Sequence, residues 1–393
     1  MKPGRLVRRS ILLLLAFYLL WLGWRGVSFH RYSGIIEGDA TTAADAAPPV
    51  FELEGVYHMH SRFSDGHRTM DEIASIAAEA GLDFVVVTDH GAPNRGSLAA
   101  AGRRRGVLVL AGTEISTNRG HLAALGFDPP GQDFSRIADN AAAQVAAAGG
   151  FTVIAHPYAK TAWSWGPWAG YSGLEILNSE VVAKRAPFRT LLFAPLLLIR
   201  PEAALSALVG PPLRETAAWD RWGAERPVHG YFASDAHFAY RGLLRLFHTH
   251  VLLDASAAEN FAAARRQVFG ALREGRFYSA VEAAAEADGF RYWAAHSGRI
   301  TLMGGTIDPG TDEGGPAGGP VRLTVRTPFA FAHEARLLRN GAAVASGTGP
   351  ELVYETDVPG SYRVEVFLRE RTPLRAGIPW IASNPIFIGK AKS

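Results

Sequence analysis

Residues 84–90 read Phe-Val-Val-Val-Thr-Asp-His, and this stretch decides the fold. An unbroken run of β-prone apolar residues, without alternation, belongs to a strand covered on both faces, as in a sheet flanked by helices. Its last two residues are polar and stand at the carboxyl end, where α/β sheets and barrels place their chemistry. The pattern recurs outward in both directions. Apolar runs at 55–58, 107–111, 121–127, 152–155, 174–178, 228–233 and 248–253 alternate with helical patterns at 70–80, 134–148, 215–224 and 257–273. That alternation predicts βα units. Thr69, with Glu72 three residues later, predicts a capping box at the first of these helices.

Imidazoles and carboxylates collect where the runs end. His58-Met59-His60 closes the first, and residues two apart on a strand share a face, so both rings can reach one cation. Asp65 follows on the tight loop Ser61-Arg-Phe-Ser-Asp-Gly66. After 84–88, His90 reads as a ligand and Asp89 as a carboxylate that orients an imidazole. Glu114, following the 107–111 run, could bridge two cations through its two oxygens, or be a surface carboxylate at a strand exit. His121 opens the next run as a ligand or as a buried structural histidine. His156 ends Thr152-Val-Ile-Ala-His, and Asp235-Ala236-His237 repeats the spacing of two. Nine nitrogen or oxygen donors at the ends of successive strands would be costly to bury without a compensating cation. They are the donors that hold borderline divalent metals.

The rest of the chain sets the frame. At 393 residues, two to three domains are expected, with ample chain for a core. The net charge of +3 is mild, and Lys2, Arg5, Arg8 and Arg9 crowd the first ten positions, so nothing calls for sequence-specific nucleic-acid binding. Cysteine is absent, which excludes disulfides, thiolate ligands and a cysteine nucleophile. The apolar run 11–24, with Trp21, Trp24 and Phe29 as interfacial belt residues, reads as a signal anchor over 1–30, with an uncleaved helix favoured over a cleaved signal. Basic residues before it keep the tip cytoplasmic and put the remainder on the periplasmic side of an inner membrane. Residues 31–50 read as a linker, 51–296 as the βα domain that carries the donor cluster, and 297–393, where apolar residues alternate with period two, as a small β-sandwich-like domain. Asn340-Gly341 marks a hairpin turn there. The short apolar stretch 191–199 reads as a buried or lid-forming helix. The aromatic loop Trp163-Ser-Trp165-Gly-Pro-Trp168-Ala-Gly-Tyr171 could cap a pocket or pack against the β domain.

Taken in order, H-x-H, S-D-G, T-D-H, G-T-E, H-L, A-H-P and S-D-A-H resemble the polymerase and histidinol phosphatase (PHP) superfamily across roughly residues 53–280. The anchored amino terminus, the tryptophan-rich loop and the β-rich tail ending in Trp380-Ile-Ala-Ser-Asn-Pro look like its carbaryl hydrolase (CehA/McbA-like) branch. The resemblance implies a distorted (β/α)7 TIM-like barrel and a bi- or trinuclear site for manganese, iron or zinc. Carried over by position, His58, His60, Glu114 and Asp235 would hold one metal. Glu114 would bridge to a second with His156 and His121, and Asp65, His90 and His237 would hold a third. Such a site activates water. The leading expectation is therefore a metal-dependent phosphoesterase acting on a phosphomonoester, a cyclic phosphate or a nucleotide or oligonucleotide end. Arg62, Arg95, Asn178 and Arg241 are candidate substrate contacts, since such groups clamp phosphate. Ester or carbamate hydrolysis is the alternative within enzymes, and a membrane-anchored binding protein that has lost turnover is the alternative outside them. His67, His229, His248, His250, His296 and His333 read as structural or solvent-exposed.

Overall fold

Phe84–Val87 is a strand whose four residues are all fully buried, paired in parallel on both sides. Each apolar side chain so covered contributes on the order of 1.5–3 kcal/mol, which explains why this run tolerates no alternation. The computed structural model describes residues 3–35, 48–160, 164–166, 170–309, 319–370, 374 and 377–389. The order of the first strands is β1 (Phe51–Met59), β2 (Phe84–Val87), β3 (Gly102–Arg104), β4 (Val107–Ala111), β5 (Thr113–Thr117), β6 (Gly120–Leu125) and β7 (Phe151–Ile154). Then come β8 (Gly173–Asn178), β9 (His229–Ala233), β10 (His248–Leu253) and β11 (Phe277–Ala280). All eight apolar runs read from the sequence fall on these strands.

The pairing is mixed rather than uniformly parallel. β1, β2 and β4 run parallel, whereas the first half of β1 pairs antiparallel with β10. A second sheet, β5-β6-β7-β8-β9, begins with antiparallel pairs and ends with parallel ones. Two isolated parallel bridges, Met59 with Ala236 and His90 with Glu114, join the two sheets at the carboxyl ends of β1 and β2. The chain passes from β4 to β5 at Gly112, where any Cβ would lie 2.5 Å from the Ala124 carbonyl oxygen. Glu114 thus lies inside β5, one residue past its start, and not at the exit of the preceding run.

Helices cover the sheets as their periodicity demands. Met70–Glu79 buries Met70, Ile73, Ala74 and Ala77, the i, i+3, i+4, i+7 stripe of an amphipathic helix. Its capping box is present: Thr69 Oγ1 accepts from the Glu72 amide at 3.2 Å, and Glu72 accepts from the Thr69 amide at 2.8 Å. The carboxyl-terminal strands are β12 (Arg291–His296), β13 (Arg299–Leu302), β14 (Thr306–Ile307), β15 (Val321–Arg326) and β16 (His333–Arg339). They continue with β17 (Ala342–Gly347), β18 (Glu351–Thr356), β19 (Gly360–Leu368), β20 (Ile381–Ser383) and β21 (Ile386–Ile388). β13-β12-β15-β18 form a separate antiparallel sheet, while β19, β20 and β21 extend the first sheet through the β20–β11 pair. The turn between β16 and β17 has φ 48° at Asn340 and 85° at Gly341, the left-handed pair that a two-residue hairpin requires.

The amino-terminal helix Pro3–Val27 includes 21 residues, Val7–Val27, long and apolar enough to cross a membrane. Its last turns pack on Pro187–Leu197 and Pro201–Leu208, joining Leu22 to Phe193, Leu196, Ala204 and Leu208. The stretch 191–199 is buried on that side alone, since Leu191, Leu198 and Ile199 are strongly exposed. In the aromatic loop, Trp165 and Tyr171 are core residues, while Trp163 and Trp168 lie outside the described residues.

Candidate metal centre

The structure brings together all nine donors read from the sequence. β1 supplies the first two through a distortion: its register against β2 shifts between Tyr57 and Met59, and His58 has φ 64°. A bulge of this kind re-aims a side chain. It leaves His58 Nε2 and His60 Nε2 3.2 Å apart. Both nitrogens face the same two carboxylates, at 3.3 and 3.2 Å from Glu114 Oε2 and at 3.3 Å each from Asp235 Oδ1. Glu114 turns its other oxygen to His121 Nδ1 at 2.8 Å and His156 Nε2 at 2.9 Å. On the solvent side, Asp65 Oδ2 lies 3.3 Å from His237 Nε2 and 3.6 Å from His90 Nε2. His60, stacked on His237 with ring centres 4.2 Å apart, stands between the buried and open groups.

Backbone strain marks the same places. His156 (φ 29°) and Asp235 (φ 48°) join His58 in the left-handed region that side-chain-bearing residues rarely occupy. Such conformations cost on the order of 1–3 kcal/mol each and cluster at functional sites.

The donor set fits a divalent cation. Donors that share one ion at 2.0–2.2 Å lie about 3.0–3.5 Å apart, the spacing of the His58, His60, Glu114 and Asp235 atoms. Among the described residues, Asp235 Oδ1 and His90 Nδ1 are buried without a hydrogen-bond partner. Burial alone would drive the His58 imidazole down, yet Glu175, Asp235 and Glu114 reverse this and hold it well above its ordinary value. Against the same burial, Asp235 and Glu114 raise His60 to about 9. Asp235, despite full burial, is held far below the carboxylate range, first by His58. His90 is pushed down by burial, with His60 and His121 adding to the effect against the pull of Glu114 and Asp65. The cluster demands positive charge, which protons on the imidazoles supply and metal ions can supply in their place.

Four other residues have roles unlike those the sequence suggested. Among the described residues Asp89 contacts no imidazole directly. Its carboxylate accepts from the Ser61 amide at 2.7 Å, Ser61 Oγ at 2.5 Å and Ser64 Oγ at 2.6 Å, tying down the loop that carries Asp65. Asn178 does not reach outward, because its Nδ2 donates to Glu175 Oε2 at 2.9 Å and to Asp235 Oδ2 at 3.0 Å, using both amide protons. Arg241 pairs with Glu79 on the surface, and Arg95 with Asp133 and the Pro130 carbonyl. Arg62 is exposed on the Asp65 loop, its Nε donating to the His67 carbonyl at 3.2 Å.

Sequence reading missed Glu175. This fully buried carboxylate on β8 accepts from His58 Nδ1 at 2.5 Å and from the His156 amide at 2.8 Å. It thereby fixes the His58 tautomer and leaves Nε2 free to bind. The signal was present: one acid inside the apolar run Leu174-Glu-Ile-Leu177, on a strand buried at every position.

No protein-family model matches the chain. A segment is 39% identical over 77 residues to a 3',5'-nucleoside bisphosphate phosphatase of Chromobacterium violaceum, covering 18% of this chain. The match spans about a quarter (27%) of that relative's length. Among solved structures, the chain is similar to a Bacteroides vulgatus two-domain protein containing a predicted PHP-like metal-dependent phosphoesterase. That likeness has 14% identity and a TM-score of 0.39, over 91% of this chain and 99% of the other. It is also similar to a lesion-specific endonuclease of Pyrococcus furiosus, with 14% identity and a TM-score of 0.38 over 56% of each chain.

Proposed function

We propose that the chain is a metal-dependent hydrolase, a phosphoesterase of the PHP type, anchored to a membrane by its amino-terminal helix. The observation that carries this reading is the convergence of six imidazoles and three carboxylates, with His58 Nε2 and His60 Nε2 both facing Glu114 and Asp235 at 3.2–3.3 Å. The nucleotide phosphatase segment match and the donor chemistry agree with it. The bridges between the two sheets support a barrel over 51–296 closed around the site, distorted by its antiparallel strands. The antiparallel strands of 297–393 support a sandwich-like companion.

In this reading His58, His60, Glu114 and Asp235 hold one cation, and Glu114, His156 and His121 hold a second. Asp65, His90 and His237 hold a third. Bound manganese, iron or zinc would supply Lewis acidity and a more acidic water. The chain's own residues do the positioning. Glu175 holds His58 and the His156 backbone, Asn178 holds Glu175 and Asp235 together, and Asp89 fixes the Ser61–Ser64 turn. The substrate enters on the Asp65 side, where Asp65 is 54% and His90 32% exposed against 0–1% for His58, His60, Glu114 and Asp235. Exposed Arg62 lies on that side to meet a phosphate. The substrate class is a phosphomonoester, a cyclic phosphate or a nucleotide-like end, on the periplasmic face of the inner membrane.

Hydrolysis of bis-p-nitrophenyl phosphate and of 3',5'-nucleoside bisphosphates by the full chain in detergent, with Mn²⁺ or Zn²⁺ supplied, tests the reading. Asp235→Ala should lower kcat at least 100-fold. Turnover of naphthyl carbamates with none of phosphoesters would replace it with carbonyl chemistry.

A further inference from the structure

We propose a second divalent-cation site, formed by Glu54, His248 and Glu282 with His250 as a fourth donor, at the opposite end of β1 from the centre above. It goes beyond the hydrolase reading and does not rest on it. Glu54 and His250 are direct cross-strand partners on the antiparallel β1–β10 pair, and His248 stands two residues along, on the same face as His250. Glu282 follows β11 and is fully buried beneath them.

The donor atoms are assembled as ligands are. One atom from each of Glu54, His248 and Glu282 lies within 4.8 Å of the others. His250 Nε2 is 3.4 Å from Glu282 Oε2 and 3.9 Å from Glu54 Oε1. Among the described residues, His250 Nε2 and Glu282 Oε2, on residues with no exposed surface, have no hydrogen-bond partner beyond their 3.4 Å approach to one another.

The surroundings fix which nitrogens are available. His248 Nε2 lies 2.8 Å from the Leu244 carbonyl, an acceptor, so its proton is there and Nδ1 turns to Glu54. His250 Nδ1 lies 3.0 Å from Glu52 Oε1, which leaves Nε2 for the cluster. Glu52 is itself held by Arg291 at 2.6 Å, and Glu282 Oε1 by Arg31 at 2.8 Å. His248, His250 and Glu282 are thus each backed by an outer partner, the arrangement in which Glu175 backs His58 and one that metal-binding histidines need. A mixed nitrogen–oxygen set of this kind suits zinc or another borderline cation. Four protein donors make it a structural site. Ions reach it from a cavity of about 670 Å³, whose walls include Arg31, Glu79, His248 and Ala283.

Zinc binding by the full-length chain in detergent tests this, after chelator treatment, by equilibrium dialysis and elemental analysis. His60→Gln/Asp65→Asn/Glu114→Gln/His156→Gln/Asp235→Asn/His237→Gln disables all three cation positions of the first centre and should still hold one Zn²⁺ per chain. Adding His248→Gln and Glu282→Gln should take that equivalent to zero, with circular dichroism unchanged. Zinc X-ray absorption of the first-centre variant should show two imidazoles, a readout that stands even if the combined variant fails to fold. A first-centre variant that binds no zinc, or keeps its zinc without His248 and Glu282, would overturn the proposal. The cluster would then be a buried ion-pair network with protonated histidines. Phosphoesterase failure in the wild type with this equivalent retained would count against the hydrolase reading alone.

Discussion

At the scale of single residues, the tightest constraints lie behind the donors. Glu175→Gln keeps size and shape but removes the charge that faces His58 Nδ1 and the His156 amide. Metal affinity at the first centre should fall by about 10- to 100-fold, measured by competition with a chromophoric chelator, while the fold persists. His229 offers a test away from any metal. Burial, with Arg226 adding to it, lowers its imidazole to about 4, so the folded chain keeps it neutral while the unfolded chain protonates it near 6.5. Stability from this group is therefore complete above pH 6.5 and drains away as pH falls towards 4. Between pH 7 and pH 5 the loss should be about 2 kcal/mol. Urea denaturation of His229→Phe at both pH values should show a correspondingly smaller drop; an unchanged drop would refute the assignment.

At the scale of elements, the loop 61–68 shows how far local backbone governs the site. A Cβ on Gly66 would collide with the His60 carbonyl. Gly66→Ala should therefore displace Asp65 and reduce bound Mn²⁺ by one equivalent per chain, leaving the buried pair loaded. Thr69→Ala, which removes one half of the adjacent capping box, should cost about 1 kcal/mol of stability in thermal or chemical melts and leave metal content unchanged. Strand positions and this cap were legible because burial and capping act on neighbouring residues. The convergence of H-x-H was legible for an incomplete reason: alternation alone would share a face, but the bulge at His58 does the aiming. Glu175 and the Ser61–Asp89 link escaped notice because each joins residues far apart in sequence, which no local period reports. Arg241 escaped in the opposite sense, since a sequence cannot reveal that Glu79 already neutralises it.

At the scale of the whole molecule, the apolar helix is bound to the body it precedes. Tyr18 Oη donates to the Leu192 carbonyl at 2.7 Å, Trp21 packs on Phe193, and Arg31 bonds Glu282 just beyond. Removing residues 1–27 would bare Phe193 and Leu196 beside Phe188, Leu191, Leu198 and Ile199, which are already exposed. A patch of that kind drives association. The shortened chain should run as a monomer in size-exclusion chromatography with light scattering only when detergent is present; a monodisperse monomer in plain buffer would contradict this. Strand β1 has one more consequence. It carries Glu54 near its start and His58 near its finish, four residues apart, a span of roughly 13 Å at an extended rise. Unpaired electrons lodged at the two ends would feel one another's magnetic dipoles, so a manganese-loaded sample should give a broadened resonance line that sharpens once the first centre is emptied and a single ion remains at the Glu54 end. The strand would then serve as a ruler built into the protein.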